Sequence, residues 1–328
     1  MKRIMIAILV NLLVMGLAGC NVPGAGPGAP TKVTVMLDWV PNTNHTGLYV
    51  AQAQGWYKEQ GLDVRIVEPS QENTVVQVVA AGQADFGISY QEEVTHARAE
   101  DVPVVSIAAI IQHNTSGFAS PKAKGLARPK DFEGKKYGAF GSPIEKAMLT
   151  ALLACDGGDA SKIEFVDVGW ADYFVVTQRD VDFAWIFYGW TGIEAEVRGE
   201  PLNIVMLSDW VKCVPDYYTP VIIASEKTVA EGKDLARRFL AATSQGYRYA
   251  IEHPAEAAEV LLKAAPESNP ELVRRSQQWL SPRYQADAKR WGEQKLEVWQ
   301  RYADWMADQG LIPRRIDPAK AFTTEFLP

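Results

Sequence analysis

Four short segments bring aromatic and hydrogen-bonding side chains together, a combination that could contact a ligand. The first is Leu37-Asp38-Trp39-Val40-Pro41-Asn42-Thr43-Asn44-His45. A flat indole (Trp39) is followed by amide and imidazole groups (Asn42, Asn44, His45), which together read as a stacking platform with polar contacts. Turn chemistry explains Asn42 and Asn44 as well as ligand contact does, because Asn and Pro are ordinary turn formers. The second segment, Ser89-Tyr90-Gln91-Glu92, fits a helix-capping box through Ser89 and Glu92. That leaves Tyr90 and Gln91 at a rim. The third is Phe140-Gly141-Ser142-Pro143-Ile144-Glu145, with Ser142 as cap, Pro143 at the first helical position and Glu145 three residues on. Such a helix start can offer N–H groups to a ligand oxygen, and Phe140 supplies a ring face beside it. In the fourth, Val181 to Glu194, alternation sends Phe183, Trp185 and Phe187 to one strand face and Asp182, Ala184 and Ile186 to the other. Core packing accounts for most of these rings. Tyr188 and Trp190, beside glycines at the strand end, are better placed for a ligand.

Catalytic signatures are absent. The chain has no G-x-S-x-G, H-E-x-x-H, Walker A or G-x-G-x-x-G pattern. Cys155 and Cys213 show no metal spacing, so no metal site is expected. Each reads as a buried thiol, with a bridge between them as the alternative in an oxidising compartment. His45 and His113 fall in polar segments, whereas His96 and His253 fall in helical ones, and none has a local partner that suggests a triad.

These segments need a scaffold that brings strand ends together. Strand and helix patterns alternate: strands at 32–37, 62–67 and 84–88, helices at 45–60, 74–81 and 91–99, then an apolar run at 102–111. A second unit begins near Asn114, with strands at 136–140, 163–168 and 181–186 and a helix at 143–153. Val221–Ala224 is the last strand, and the remainder is helical to about Gln309, with Trp291, Val298, Tyr302 and Trp305 on one helical face. Such alternation predicts an α/β fold with mostly parallel strands. In open α/β sheets ligands bind beyond the carboxyl ends of strands, which is where the four segments fall.

The 328 residues carry 33 Lys+Arg against 40 Asp+Glu, a formal charge of −7. Acidity and the lack of a basic run argue against nucleic acid as a partner. Three Cys cannot staple a chain of this length. Met1-Lys2-Arg3, an apolar stretch to Met15 and Leu17-Ala18-Gly19-Cys20 read as a signal peptide over residues 1–19. The apolar run is too short to span a hydrocarbon layer of about 30 Å. Its loss would leave a charge of −9. Residues 20–31, rich in Gly, Pro and Ala, read as a flexible tether.

The Leu-Ala-Gly-Cys ending resembles a bacterial lipobox, which implies lipid on Cys20 and an extracytoplasmic, membrane-anchored protein. From about residue 32 onward, WVPNTNHTGLYVAQAQGWYKEQGLDV, GQADFGISY, AAIIQHNTSGFAS, DFAWIFYGW and SPRYQADAKRWGEQ resemble the NMT1/THI5-like (SsuA/THI5-like) substrate-binding proteins of ABC importers. The resemblance implies a two-lobe periplasmic-binding-protein fold of type II. Lobe 1 would be 32–114 with 221–328, lobe 2 would be 115–220, and crossovers near 112–117 and 217–222 would form the hinge. It also implies an importer permease and ATPase as partners, no cofactor and no catalysis. Members bind formylaminopyrimidine, a thiamine precursor, or riboflavin. By this resemblance Trp39, Tyr90 and Tyr188 would stack on the ligand, and Asn42, His45, Asn114 and Glu194 would make polar contacts; the strand-end reading adds Phe140, Ser142 and Trp185 to the expected ligand-binding residues. Where thiamine-precursor members carry a Trp before Gly-Ser-Pro, this chain has Ala139-Phe140, which tilts the expectation toward riboflavin. Related pyrimidine synthases carry pyridoxal phosphate; their cofactor lysine falls at Ser89, their histidine at Glu93 and their cysteine-rich motif near Cys213. Without an amine at position 89 a Schiff base cannot form there.

Overall fold

The computed structural model of the protein describes residues 29–70, 73–142 and 144–328. The expected signal segment, Cys20, most of the tether and Pro143 lie outside the described residues.

Alternating β-branched residues make Thr31–Met36 a strand (β1) with Val33 and Val35 buried. It pairs in parallel with β2 (Leu62–Val67) and β3 (Phe86–Ser89). Between β1 and β2 the predicted 45–60 helix is split into α1 (Thr46–Ala53) and α2 (Trp56–Glu59). Gly55 at the break takes φ +80°, a left-handed conformation that costs glycine least. Helices α3 (Val75–Ala80) and α4 (Gln91–Ala99) follow β2 and β3, and β4 (Val104–Ala109) occupies the apolar run.

The chain then enters a second sheet through β5 (Ser116–Pro121), which the sequence pattern did not predict. β6 (Lys136–Ala139), α5 (Ile144–Cys155), β7 (Glu164–Asp167), α6 (Tyr173–Arg179), β8 (Phe183–Phe187) and α7 (Ile193–Arg198) continue it. The unpredicted β9 (Leu202–Met206) closes it. The last strand, β10 (Val221–Ser225), returns to the first sheet and is buried throughout, as its Val-Ile-Ile-Ala run requires of a central strand. Helices α8 (Glu226–Glu231), α9 (Lys233–Glu252), α10 (Pro254–Ala264), α11 (Pro270–Leu280) and α12 (Leu296–Asp308) complete the chain.

The sheet orders are β2-β1-β3-β10-β4 and β7-β6-β8-β5-β9. Each has three parallel strands on one side and an antiparallel inserted strand on the other. Val221 opposes Ser89 and Ala109, while Ser116 opposes Phe187. Both crossovers, β4 to β5 and β9 to β10, therefore join the carboxyl ends of the two sheets. β3 and β8 lie beside the strands that the crossovers join, and β2 and β7 are the outer edges of the two sheets.

Each sheet has its own core. One includes the Tyr57, Phe86 and Phe239 stack and the other the Phe118, Phe132 and Phe183 cluster. Helix α12 serves both lobes: Trp299 packs with β10, while Tyr302 and Met306 enter the core of the second sheet. Its buried face is Trp299, Tyr302, Ala303 and Met306, not the predicted Val298 face. Trp291 lies before the helix, stacked on Tyr247. Cys155 and Cys213 are bonded to each other, their Cα atoms 6.0 Å apart. Cys155 is exposed at the end of α5, so the buried-thiol expectation is corrected.

Candidate functional site

The loop that leaves β1 is held by its own polar side chains. Asn42 accepts from the Asn44 N–H through Oδ1 at 2.9 Å and donates to the Val40 carbonyl at 3.0 Å. Its own N–H donates to His45 Nδ1 at 3.2 Å. Asn42 is thus a buried turn former, and the expected ligand contact from its amide is replaced by local bonds. Asn44 gives its carbonyl to the Tyr247 hydroxyl.

Because His45 Nδ1 accepts a hydrogen bond, its ring proton sits on Nε2 and is donated to Asp38 at 2.6 Å. His45 is fully buried and acts through Asp38. Tyr90 donates to the other Asp38 oxygen, also at 2.6 Å. Burial opposes the charge on Asp38, but the His45 contact and the two hydrogen bonds outweigh it and hold the carboxyl below its usual range. Burial, then the Asp38 charge, keeps the Tyr90 phenol protonated far above its ordinary range.

Ser89 does not cap α4. Its hydroxyl donates to Glu93 at 2.7 Å, and Tyr90 is the residue preceding the helix. Burial, reinforced by nearby Asp38, raises the Glu93 carboxyl. Glu92 is buried against the crossovers and its pKa is driven well up by that burial. Gln91 pairs with the Tyr218 backbone in both directions, through its side chain at 2.8 Å and its main chain at 3.1 Å. Those bonds make it an anchor of the second crossover.

Across the crevice the Phe187 ring stacks on Tyr90, centroids 6.1 Å apart at 18°. Trp185 lies 5.9 Å from Phe140 and 5.3 Å from Phe118, with its buried indole N–H unpartnered among the described residues. Phe140 itself is 43% exposed, and Trp39 is 37% exposed at the matching end of β1. The N–H groups of Phe140, Gly141 and Ser142 all donate to Glu145, which also accepts from Tyr137. The N–H groups of the loop that leads into α5 are therefore taken by Glu145.

Asn114 lies in the first crossover. Its N–H donates to Asp216, and its Oδ1 accepts from the Ser116 N–H and hydroxyl, each at 2.7 Å. Its Nδ2 is buried without a partner among the described residues. Tyr188 and Glu194 turn elsewhere. The Tyr188 hydroxyl donates to Glu196 at 2.6 Å and its ring packs 5.0 Å from Trp279 of α11. Glu194 is held by Arg198, one turn on, which lies over the Phe174 ring. Trp190 packs against the small core of α10 and α11.

The crevice therefore joins Asp38, His45, Ser89, Tyr90, Glu93 and Phe187 at its floor and carries Trp39, Phe140 and Trp185 along its walls. Asp38, Glu93 and Phe187 were not among the ligand contacts expected from the sequence. The one sequence signal for Asp38 is a lone acid ending an apolar strand seven residues before a histidine. Among the described residues no cluster of His, Cys, Asp and Glu could hold a metal ion, and no helix is long and apolar enough to cross a membrane.

The family model described as NMT1/THI5 like matches residues 42–257. The chain belongs to the NMT1/THI5-like family. Among curated relatives, the formylaminopyrimidine-binding protein of Halalkalibacterium halodurans is 29% identical over 97% of both chains. The riboflavin-binding protein RibY of Chloroflexus aurantiacus is 25% identical over 100% of this chain and 99% of its own. The 4-amino-5-hydroxymethyl-2-methylpyrimidine phosphate synthase of Legionella pneumophila is 27% identical over 91% and 93%. The alkanesulfonate-binding protein SsuA of Xanthomonas axonopodis shares the fold, with TM-score 0.67 and 15% identity over 90% of this chain and 98% of that one. This NMT1/THI5-like chain thus has the two-lobe α/β architecture of periplasmic binding proteins.

Proposed function

We propose that the protein is the substrate-binding component of an ABC importer and that it takes up a flat amino-substituted pyrimidine of the formylaminopyrimidine kind. The observation that carries this reading is the Asp38 carboxylate at the crevice floor. Each of its oxygens takes one side-chain hydrogen bond, from His45 and from Tyr90, and can accept a second. A carboxylate with free acceptor positions favours a ligand edge rich in N–H donors, as an exocyclic amine is. The imide edge of a flavin presents two carbonyl oxygens flanking one N–H, so it would set like partial charges against Asp38. Rings then come from Trp39, Tyr90, Phe140 and Trp185, and a further donor from the Asn114 amide.

Riboflavin is the second reading, favoured by the exposed aromatic walls and the full-length similarity to RibY. Synthase chemistry is disfavoured because Ser89 stands where a Schiff-base lysine is needed and is bonded to Glu93. Lipid on Cys20, an extracytoplasmic location and docking on a permease with its ATPase complete the proposal, with the lobes dividing near residues 114 and 220. Ligand binding would stabilise the closed arrangement through differential contacts.

Thermal-shift and calorimetric titrations with formylaminopyrimidine and riboflavin test this. The expected result is a ligand-dependent rise in melting temperature with formylaminopyrimidine, with the compound recovered unchanged. Preferential binding of riboflavin would select the second reading, and turnover would refute both.

A further inference from the structure

We propose that Trp170 is a ligand-contacting residue, the outer ring of the second lobe that closes over a flat ligand; the proposal rests on the crevice being the ligand site. Large apolar side chains left in water mark binding surfaces when they cluster. Eight such side chains are exposed among the described residues, and four of them (Trp39, Val40, Phe140 and Trp170) follow the carboxyl ends of β1, β6 and β7. Trp170 is the most exposed of all, at 49%.

Its position is built. The N–H groups of Val168 and Gly169 both donate to the Ala139 carbonyl, at 2.9 and 3.2 Å. Gly169 also donates to Asp167 and takes φ +55° to make the turn, and the Ala171 N–H returns to the Val168 carbonyl. The turn that carries Trp170 is thus fastened to the residue just before Phe140. Strand order supplies its depth. The crossovers attach beside β3 and β8, β1 and β6 come next, and β2 and β7 are outermost. Tyr90 and Phe187 accordingly form the floor, Trp39 and Phe140 the middle, and Trp170 the lip. Tyr90 and Phe187 are only 6.1 Å apart, less than the roughly 7 Å that an intercalated plane needs at two van der Waals contacts. A ligand therefore does not slot between them and lies instead against their outward side, toward the rings of the middle and the lip.

The test titrates wild type, Trp39→Ala, Trp170→Ala and Trp170→Phe with formylaminopyrimidine and with riboflavin, and records each ligand-free melting temperature. For the probe that wild type binds, Trp170→Ala should weaken binding about tenfold. Trp170→Phe should stay within about threefold, and neither should change the ligand-free melting temperature. If Trp39→Ala weakens binding and Trp170→Ala does not, the role of Trp170 is refuted while the crevice reading stands. If neither alanine variant weakens binding, or wild type binds neither probe, the crevice reading fails and the lip falls with it.

Discussion

His113 of the first crossover and Asp216 of the second are joined by a 2.6 Å contact from Nδ1 to a carboxylate oxygen. On the other side of the ring, Nε2 lies 3.0 Å from Asp287, and Lys295 stands 4.0 Å from that same carboxylate. One imidazole thus ties both crossovers to the segment before α12. The hydrogen bond to Asp216 raises the His113 pKa to about 9; burial opposes the rise, and the charges of Asp216 and Asp287 add to it.

A pH dependence of stability follows. A histidine whose folded pKa exceeds its unfolded value of about 6.5 contributes fully below that value and loses its contribution as pH rises through the folded one. Wild type should lose stability between pH 6.5 and about 9 relative to His113→Gln. The ring is half exposed, so solvent screening keeps the effect small and salt should shrink it. Melting temperatures of both proteins across that window, at low and high salt, check this; parallel curves would sink it.

Two tryptophans should separate binding from stability. Trp39 stands in water at the crevice wall, whereas Trp299 is fully buried, donates to Gln294 at 3.1 Å and stacks on Phe322. Trp39→Ala should weaken ligand binding and leave the denaturation midpoint unchanged. Trp299→Ala should cost about 3–5 kcal/mol of stability. Urea unfolding beside calorimetric titration reads both, and a swapped pattern would overturn the assignment.

The helix behind the site loop depends on two glycines. A Cβ on Gly246 of α9 would lie 2.0 Å from the Gly47 carbonyl oxygen, and one on Gly47 would meet the Tyr247 ring at 2.3 Å. The two helices touch backbone to backbone, and Tyr247 in turn donates to Asn44 of the loop. Gly246→Ala should therefore destabilise the fold by about 1–3 kcal/mol or more. It should also weaken binding by shifting the loop. An unchanged midpoint would mean that α1 and α9 separate freely.

Periodicity made the parallel strands and most helices legible, because buried β-branched runs and Gly stops are local features. β5 and β9 escaped because Ser-Gly-Phe-Ala-Ser-Pro carries little β-branched signal and β9 is a short edge strand. The rings of the crevice were visible as residue types at strand ends. Their polar partners were not: Asp38 matters because of Tyr90, 52 residues on, and Ser89 chose Glu93 over its own helix. Tyr188 and Glu194 sat on the right strand end yet were drawn off by Glu196 and Arg198, a choice made by α7 and α11 packing. Capping chemistry was half legible, since Glu145 reaches back to the Ser142 N–H as a capping box requires, then gathers two further N–H groups.

The Cys155–Cys213 bond joins the end of α5 to the segment that leads into the second crossover, across 58 residues. Closing a loop of that length removes unfolded-state entropy worth about 4 kcal/mol in the chain-entropy model, with typical measured values of about 2–4 kcal/mol. The bonded residues lie within the second lobe, remote in the chain from the crevice floor at Asp38 and Tyr90. Reduction, or the double variant Cys155→Ser with Cys213→Ser, should therefore lower the urea midpoint and leave ligand affinity within about twofold. Lost affinity at unchanged stability would instead assign the bridge to control of the second crossover.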